Sequence, residues 1–190
     1  TALGRRGDYL YIGTKGWGIT RLNLLTGVFD YIVFGTGPEA NDITGFATGP
    51  ADFFVTTRSD VRRYNALTDQ LEQIPFLEGH PVPAFTASAL EGNDLWLGTS
   101  EFGVFLYNMD ERRWENHSTR HGLADVDVRH LAVNGLERIV STSDGIGRFD
   151  AETKMWERIY LTPDRSQSEP INVILVTKFG WIVGSDFQGL

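Results

Sequence analysis

Cysteine is absent from this chain of 190 residues, so no disulfide can cross-link it and no thiolate can bind a metal ion. Long apolar runs are also absent, since none approaches the roughly 20 residues that a membrane-spanning helix needs. Basic residues are in deficit, with 17 Lys and Arg against 25 Asp and Glu and a net charge of -8. This charge argues against nucleic acid or an anionic membrane as the main partner, because both repel an acidic protein.

The abundant residues indicate a folded domain built from strands. Hydrophobic residues make up 41% of the chain, aromatic residues 12%, and there are 21 glycines. No stretch shows the apolar period of an amphipathic helix over a convincing length. Residues 92–99 give the clearest strand pattern, because Leu95, Trp96 and Leu97 form an apolar run between turn residues. Residues 102–108 predict a second strand that pairs with it.

The same sequence motif of two short strands recurs along the chain. A small residue ends each copy, at intervals of 43, 42, 43 and 43 residues. A second marker, an Asn or Asp six residues before a large apolar side chain, keeps the same register in four copies. The first markers are Thr14, Thr57, Thr99, Thr142 and Ser185, and the second are Asn23, Asn65, Asn108 and Asp150. A period near 43 residues made of short strands and turns is typical of propeller blades.

The sequence therefore predicts an all-β fold: a β-propeller segment with four blades of about four antiparallel strands and a partial fifth. The chain is expected to be one such segment, with blades at about 1–37, 38–79, 80–122, 123–166 and 167–190. Innermost strands are predicted at 1–6, 42–48, 82–90, 126–133 and 171–177, and third strands at 19–22, 61–64, 104–107 and 146–149. Fourth strands are predicted at 28–34, 70–76, 113–117 and 155–161.

The partial fifth blade leads to an expectation about the parent protein. Residues 181–185 form a second strand without third and fourth companions, so one edge of it is unpaired. The chain is expected to be part of a longer propeller, whose further blades complete the fold. The alternative is that a second copy or a partner completes it.

The third repeat resembles the two-component regulator propeller family. Residues 93–99 (NDLWLGT), residues 103–108 (GVFLYN), Trp114 and residues 121–128 (HGLADVDV) carry the likeness. The fourth repeat departs from the family pattern, because Glu137 and Arg138 stand at apolar positions. The resemblance implies a multi-bladed propeller in the extracytoplasmic part of a bacterial sensor, and hence a periplasmic or extracellular location. Such repeats also occur in envelope proteins that are not sensors.

No motif for catalysis or metal binding is found. His117 and His121 are four residues apart, but in a loop region they do not share a helical face, and a zinc site needs three or four converging ligands. Residues 35–39 contain two glycines, but no helix follows to form a phosphate site. We expect no catalytic residue, no metal and no cofactor, and the four histidines are expected to be ordinary surface or loop residues.

Two sets of loops should share one face of a propeller: those joining second to third strands, and those joining blades. Exposed aromatic rings beside charged groups there suit a polar small molecule or a glycan. The alternative is that Trp17, Phe102 and Phe187 pack between neighbouring blades. The candidate ligand-binding residues are Lys15, Trp17, Arg58, Phe102, Arg120, His121, Asp144, Arg165 and Phe187.

The sequence thus favours a ligand-sensing or binding module without catalysis. One alternative is an envelope scaffold that binds another protein. A second alternative is a carbohydrate-active hydrolase or lyase with its site on the loop face. An enzyme should show converging carboxylates or a histidine with a perturbed pKa, whereas a scaffold should show a large apolar patch.

Overall fold

The computed structural model describes residues 2–49, 52–65, 68, 70–135, 137–160 and 171–185. The chain divides into two compact units, Thr1–Ser88 and Ala89–Leu190, which are described separately. Two 3₁₀ turns occur, at Glu39–Asn41 and Thr119–His121, and every other regular element in the described residues is a β-strand. The predicted all-β class is therefore confirmed.

The first unit contains two antiparallel sheets in which each strand pairs with the next along the chain. The first sheet consists of β1 (Ala2–Arg6), β2 (Tyr9–Gly13), β3 (Ile19–Asn23) and β4 (Phe29–Ile32). The second consists of β5 (Ile43–Thr48), β6 (Phe53–Thr57), β7 (Val61–Asn65) and β8 (Gln70–Gln73).

The second unit continues the same order. The third sheet consists of β9 (Phe85–Glu91), in which the boundary between the units falls, β10 (Asp94–Thr99), β11 (Val104–Asn108) and β12 (Arg113–His117). The fourth consists of β13 (Val128–Asn134), β14 (Glu137–Thr142), β15 (Gly145–Asp150) and β16 (Met155–Ile159). The fifth sheet has two described strands, β17 (Ile171–Thr177) and β18 (Gly180–Ser185).

Threonine hydroxyls explain the first repeat marker. In three of the sheets this hydroxyl donates a hydrogen bond across the turn between the second and third strands, to the backbone carbonyl that faces it. This bond satisfies a carbonyl in the turn and fixes the hairpin. The pairs are Thr14 with Gly18 at 2.8 Å, Thr99 with Gly103 at 2.8 Å and Thr142 with Gly145 at 3.2 Å. The Thr57 hydroxyl spans its turn by donating to the side-chain carboxylate of Asp60 at 2.9 Å.

The second repeat marker closes the next hairpin. The side-chain oxygen of Asn23 accepts hydrogen bonds from the N–H groups two and three residues later, at 2.9 and 3.0 Å. Asp150 accepts the equivalent pair at 2.8 and 3.3 Å, and Asn108 accepts the N–H three residues later at 2.9 Å. Asn and Asp recur there because their short polar side chains form this turn with their own backbone.

Aromatic and β-branched side chains form the core of the first unit. The buried cluster contains Tyr11, Ile19, Ile43, Phe53, Val55 and Tyr64. The rings of Tyr11 and Phe53 are 4.5 Å apart between centroids. Leu10 and Ile12, which the sequence pattern suggested as core, are only half-buried. They alternate with Tyr11 along β2, so they lie on the opposite face of the first sheet.

The core of the second unit surrounds β10. Leu95, Trp96 and Leu97 are all at most 2% exposed, which confirms that this strand is buried on both faces. The ring of Trp96 lies 5.1 Å from that of Phe149 and 6.2 Å from that of Trp156, between centroids. Trp156 is buried as predicted, whereas Trp114 and Trp181 are half-buried.

Candidate functional site

The three candidate loop residues of the first unit lie in turns between second and third strands. Trp17, in the turn after β2, is 81% exposed, and Lys15 is also exposed. Arg58 follows β6 and its Nε lies 2.5 Å from a carboxylate oxygen of Asp42, just before β5. Arg58 therefore ties the hairpin turn to the segment that leads into the second sheet.

Four candidate residues of the second unit lie in the corresponding turns and loops. Phe102 is 43% exposed, and its backbone is fixed on both sides: its N–H donates to the Thr99 hydroxyl at 3.0 Å, and its carbonyl accepts from the Asn116 amide at 2.8 Å. Asp144 is half-buried and pairs with Arg158 at 3.0 Å.

Arg120 and His121 lie in the 3₁₀ turn that follows β12. Arg120 is exposed, and His121 is half-buried with its Nδ1 accepting the Ser118 N–H at 3.1 Å. Phe102, the pair Arg120 and His121, and Asp144 thus lie in three separate turns, and among the described residues no hydrogen bond or ion pair joins a candidate in one turn to a candidate in another. Arg165 and Phe187, the remaining two candidates, lie outside the described residues.

A buried histidine lies beneath these loops. His117 ends β12 and is only 4% exposed, so the expectation that it is a surface or loop residue is wrong. Its ring lies 5.2 Å from those of His121 and Phe149 and 6.1 Å from that of Trp96, between centroids. Neither ring nitrogen has a hydrogen-bond partner in the described part of the chain. Aromatic packing, not hydrogen bonding, holds this imidazole.

Burial lowers the pKa of His117, and the neighbouring His121 lowers it further. Glu115, whose Oε2 lies 3.9 Å from Nε2, acts in the opposite direction. His130, in β13, is half-buried, and its partial burial lowers its pKa. Both histidines therefore favour the neutral form more than a free imidazole does, because an imidazolium loses hydration where it is removed from water.

Among the described residues, no group of three or more His, Asp or Glu side chains is placed to hold a metal ion. No helix in the same part of the chain is long and apolar enough to cross a membrane.

A cleft lies between the third and fourth sheets, at the end of the strands away from the predicted loop face. It has a volume of about 230 Å³ and opens beside the turn that connects β15 and β16. Trp96 and Phe149 supply aromatic walls, and its polar side chains carry both signs of charge. These polar residues are Asp94, Asn108, Glu111, Arg113, Glu115, Arg138 and Lys154.

Arg138 is the unusual member of this cleft. Its Nη2 lies 2.5 Å from Oε2 of Glu91, and its guanidinium carbon lies 5.7 Å above the Trp96 ring. Its Nε and Nη1 are buried and have no hydrogen-bond partner among the described residues. The indole Nε1 of Trp96 is likewise without a described partner. Buried donors of this kind are normally satisfied by water or by a ligand.

The loop-face prediction missed this cleft, although the sequence contains a sign of it. Arg138 occupies the repeat position of Leu95, where an apolar side chain is the rule, and this departure is visible in the alignment of repeats. A cation at a repeat position that is otherwise apolar is expected to pair with an opposite charge or to take part in binding. Glu91 and Trp96, which contact the Arg138 guanidinium, come from the neighbouring third sheet, so the sequence alone does not reveal them.

No protein-family model matches the chain, and no curated protein matches it in sequence. Solved structures do match in fold. The extracellular domain of a one-component system of B. thetaiotaomicron aligns over 96% of this chain with a TM-score of 0.79 and 19% identity. The extracellular domain of a hybrid two-component system of the same organism aligns over 96% with a TM-score of 0.78 and 16% identity.

The computationally designed Ika8 protein is also similar, with a TM-score of 0.68 and 15% identity over 97% of this chain and 55% of the designed chain. The chain spans only 25% of the length of each of the two bacterial structures. It therefore has the fold found in part of the extracellular domains of these one- and two-component systems. The resemblance to the two-component regulator propeller family is confirmed at the level of the fold.

Proposed function

We propose that the chain is a β-propeller segment that binds a ligand in the extracytoplasmic part of a two-component-type sensor, without catalysis. The alignment with an extracellular sensor domain over 96% of the chain carries this proposal. In this proposal the sheets are blades, at about residues 1–37, 38–79, 80–122 and 123–166, with a partial fifth at 167–190. A periplasmic or extracellular location is part of the same proposal.

The exposed face of the first sheet supports the presence of further blades. Leu3 and Phe29 are 69% and 53% exposed. The repeat gives them the positions of Phe46 and Leu71, which in the second sheet pack against the core of the first unit. Because this apolar face is covered in the second sheet and exposed in the first, we expect another blade to pack against the first sheet.

The fifth sheet supports the same conclusion from the other direction. Leu175 and Ile182 are 56% and 49% exposed. Their repeat equivalents are Ala132 and Ile139, which pack in the core that the fourth and fifth sheets share. The blades that cover these two faces come from the parent chain or from a second copy. Further blades would therefore cover both apolar faces. The alternative, a scaffold that binds another protein, would use the same two faces for its partner.

The proposed ligand site is on the loop face and is formed, within the second unit, by the turns after β10 and β14 and by the loop that follows β12. The turns after β2 and β6 carry the corresponding candidate residues of the first unit. Its rigid hairpins support this role, because the threonine hydroxyls hold the turns in one conformation and so reduce the entropy lost on binding. The buried position of His117 argues against its use as a catalytic base on that face, which weighs against the hydrolase or lyase alternative.

The test is an NMR titration of the 190-residue chain with a panel of defined di- and trisaccharides. A bound sugar is expected to shift the amides of residues 100–103, 118–121 and 143–144. Phe102→Ala and Arg120→Ala should weaken binding, whereas Arg112→Ala, in a turn at the opposite end of the third sheet, should not. Chromatography of the same samples should recover the sugar intact. Cleavage of the sugar, or no shift with any member of the panel, contradicts the proposal.

A further inference from the structure

We propose that the cleft between the third and fourth sheets binds a small hydroxylated carboxylate, such as a sugar acid, through Arg138 and Lys154. This site is separate from the proposed loop face, since it lies at the opposite end of the strands.

Arg138 supplies the first recognition element. The guanidinium is already oriented, because Glu91 holds its Nη2 at 2.5 Å and the Trp96 ring lies beneath it. Its buried Nε–H and Nη1–H groups have no acceptor among the described residues. A carboxylate oxygen in the cleft accepts such a donor in a charge-assisted hydrogen bond, which is stronger than a neutral one.

Lys154 supplies the second element. It lies in the turn between β15 and β16, lines the same cleft as Arg138, and forms no ion pair within the described part of the chain. Its backbone has a φ of 57°, so the turn holds it in the left-handed region that is unusual for a residue other than glycine. Arg113, the third cation of the cleft, is different because Glu111 and Glu115 already neutralise it.

The remaining walls limit the ligand class. Asp94 and Asn108, joined by a hydrogen bond of 2.7 Å, present acceptors that suit hydroxyl groups. The cleft also contains carboxylates, and these would repel a dianion such as phosphate more strongly than a singly charged acid. Its volume of about 230 Å³ suits a ligand of monosaccharide size better than a longer chain.

The experiment is a calorimetric and NMR titration of the 190-residue chain with D-glucuronate. D-Glucose, which has the same ring without a carboxylate, and acetate, which lacks the hydroxyl groups, are the matched comparison ligands. D-Glucuronate should bind at least about tenfold more tightly than either, since each lacks one set of charge-assisted or polar contacts. It should also shift the indole N–H of Trp96 and the amide of Lys154.

Two variants separate binding from folding. Lys154→Asn removes the ammonium group but keeps a residue that tolerates a left-handed backbone, and it should weaken D-glucuronate binding about tenfold. Arg112→Asn is its control: Arg112 is the repeat equivalent of Lys154, has a φ of 52°, and is not among the lining residues of the cleft. It should leave binding unchanged. Arg138→Gln should abolish binding, and its thermal midpoint shows whether the fold survives.

Several results would overturn the inference. D-Glucuronate that causes no shift at Trp96 or Lys154, or that binds no better than D-glucose or acetate, excludes a carboxylate site. Equal affinities of the Lys154→Asn and Arg112→Asn variants exclude Lys154. If inorganic phosphate competes with D-glucuronate at equal concentration, the cleft is not selective for a carboxylate and the inference is wrong. Shifts confined to residues 100–103 and 143–144 would assign the ligand to the loop face, leaving the proposed function intact and the cleft without a role.

Discussion

Trp96 is the side chain on which the packing of the second unit most depends. It is 2% exposed and contacts the rings of Phe149 and Trp156. Trp96→Ala should lower the free energy of unfolding by roughly 3–5 kcal/mol, because it removes a large buried ring and leaves a cavity. Trp17→Ala is the control, since Trp17 is 81% exposed and should cost little. Urea unfolding of both variants measures the difference, and equal midpoints would contradict the burial of Trp96.

His117 predicts how stability depends on pH. Burial lowers its pKa in the folded protein, with His121 and Lys154 acting in the same direction and Glu115 opposing them. The unfolded state therefore binds the proton more readily than the folded state. The contribution of His117 to stability should be complete above its pKa in the unfolded state, which is about 6.5. It should decrease as the pH falls from there towards the lower pKa of the folded state.

The matched measurement uses thermal midpoints at pH 7.5 and pH 5.5. His117→Gln should reduce the fall in thermal midpoint between pH 7.5 and pH 5.5, because the glutamine side chain does not titrate. His80→Gln should leave the fall unchanged because His80 is exposed. The half-buried His130 contributes to the remaining fall, since its partial burial lowers its pKa in the same direction. An identical fall in the wild-type and His117→Gln chains would show that His117 is not the group responsible.

Residue roles were the hardest features to predict from sequence. The threonine and asparagine markers were found because local turn chemistry repeats with the blade. The burial of His117 was missed, since its partners Trp96 and Phe149 are distant in sequence and only the packing of two sheets brings them together. Arg138 could be noticed as an exception to the repeat, but its pairing with Glu91 could not be predicted.

At the scale of elements, all predicted strands are present, and the errors lie at their ends. β8 stops at Gln73 and β9 begins at Phe85, inside the predicted 70–76 and 82–90. Pro75 and Pro83 explain these limits, because proline has no N–H for a strand ladder. β4 ends at Ile32 for another reason: the N–H of Phe34 donates to the buried side chain of Asn41 at 2.8 Å.

The hairpin between β10 and β11 requires glycine at its end. Gly103 has a φ of 81°, and a Cβ there would lie 2.2 Å from the carbonyl oxygen of His117. Gly103→Ala should therefore destabilise the chain by more than the roughly 1–2 kcal/mol of left-handed strain alone. Gly92→Ala isolates that strain, since Gly92 has a φ of 56° and nothing within 4 Å of the added atom. Equal losses in chemical denaturation would mean that the predicted clash is relieved by movement of the turn.

At the scale of the whole molecule, the repeat is more informative than any single motif. It relates each sheet to the next, so that a residue exposed in one sheet can be compared with its buried equivalent in another. This comparison shows that the faces carrying Leu3 and Ile182 are exposed where their repeat equivalents are packed, which supports the proposal of further blades. It needs no knowledge of the ligand, which explains why the repeat predicts the fold, whereas the binding residues named from the sequence stay a prediction.

The last prediction concerns hydrogen exchange in β18. This strand pairs with β17 on one side and with no other strand among the described residues, whereas β10 pairs with β9 and β11. In an antiparallel pair alternate N–H groups point away from the partner. In dilute solution, every second amide of residues 181–183 should therefore exchange much faster than those of residues 95–97.

Raising the protein concentration provides the control for this measurement. If a second copy covers the edge of β18, the fast amides should become protected as dimers form. Ile182→Lys should prevent both dimer formation and this protection, because a charge on the exposed apolar face opposes burial. Sedimentation velocity at the same concentrations reports the dimer directly. A monomer in which residues 181–183 are as protected as residues 95–97 would require another strand beside β18, and the proposal that blades outside these residues complete the fifth sheet would then be wrong.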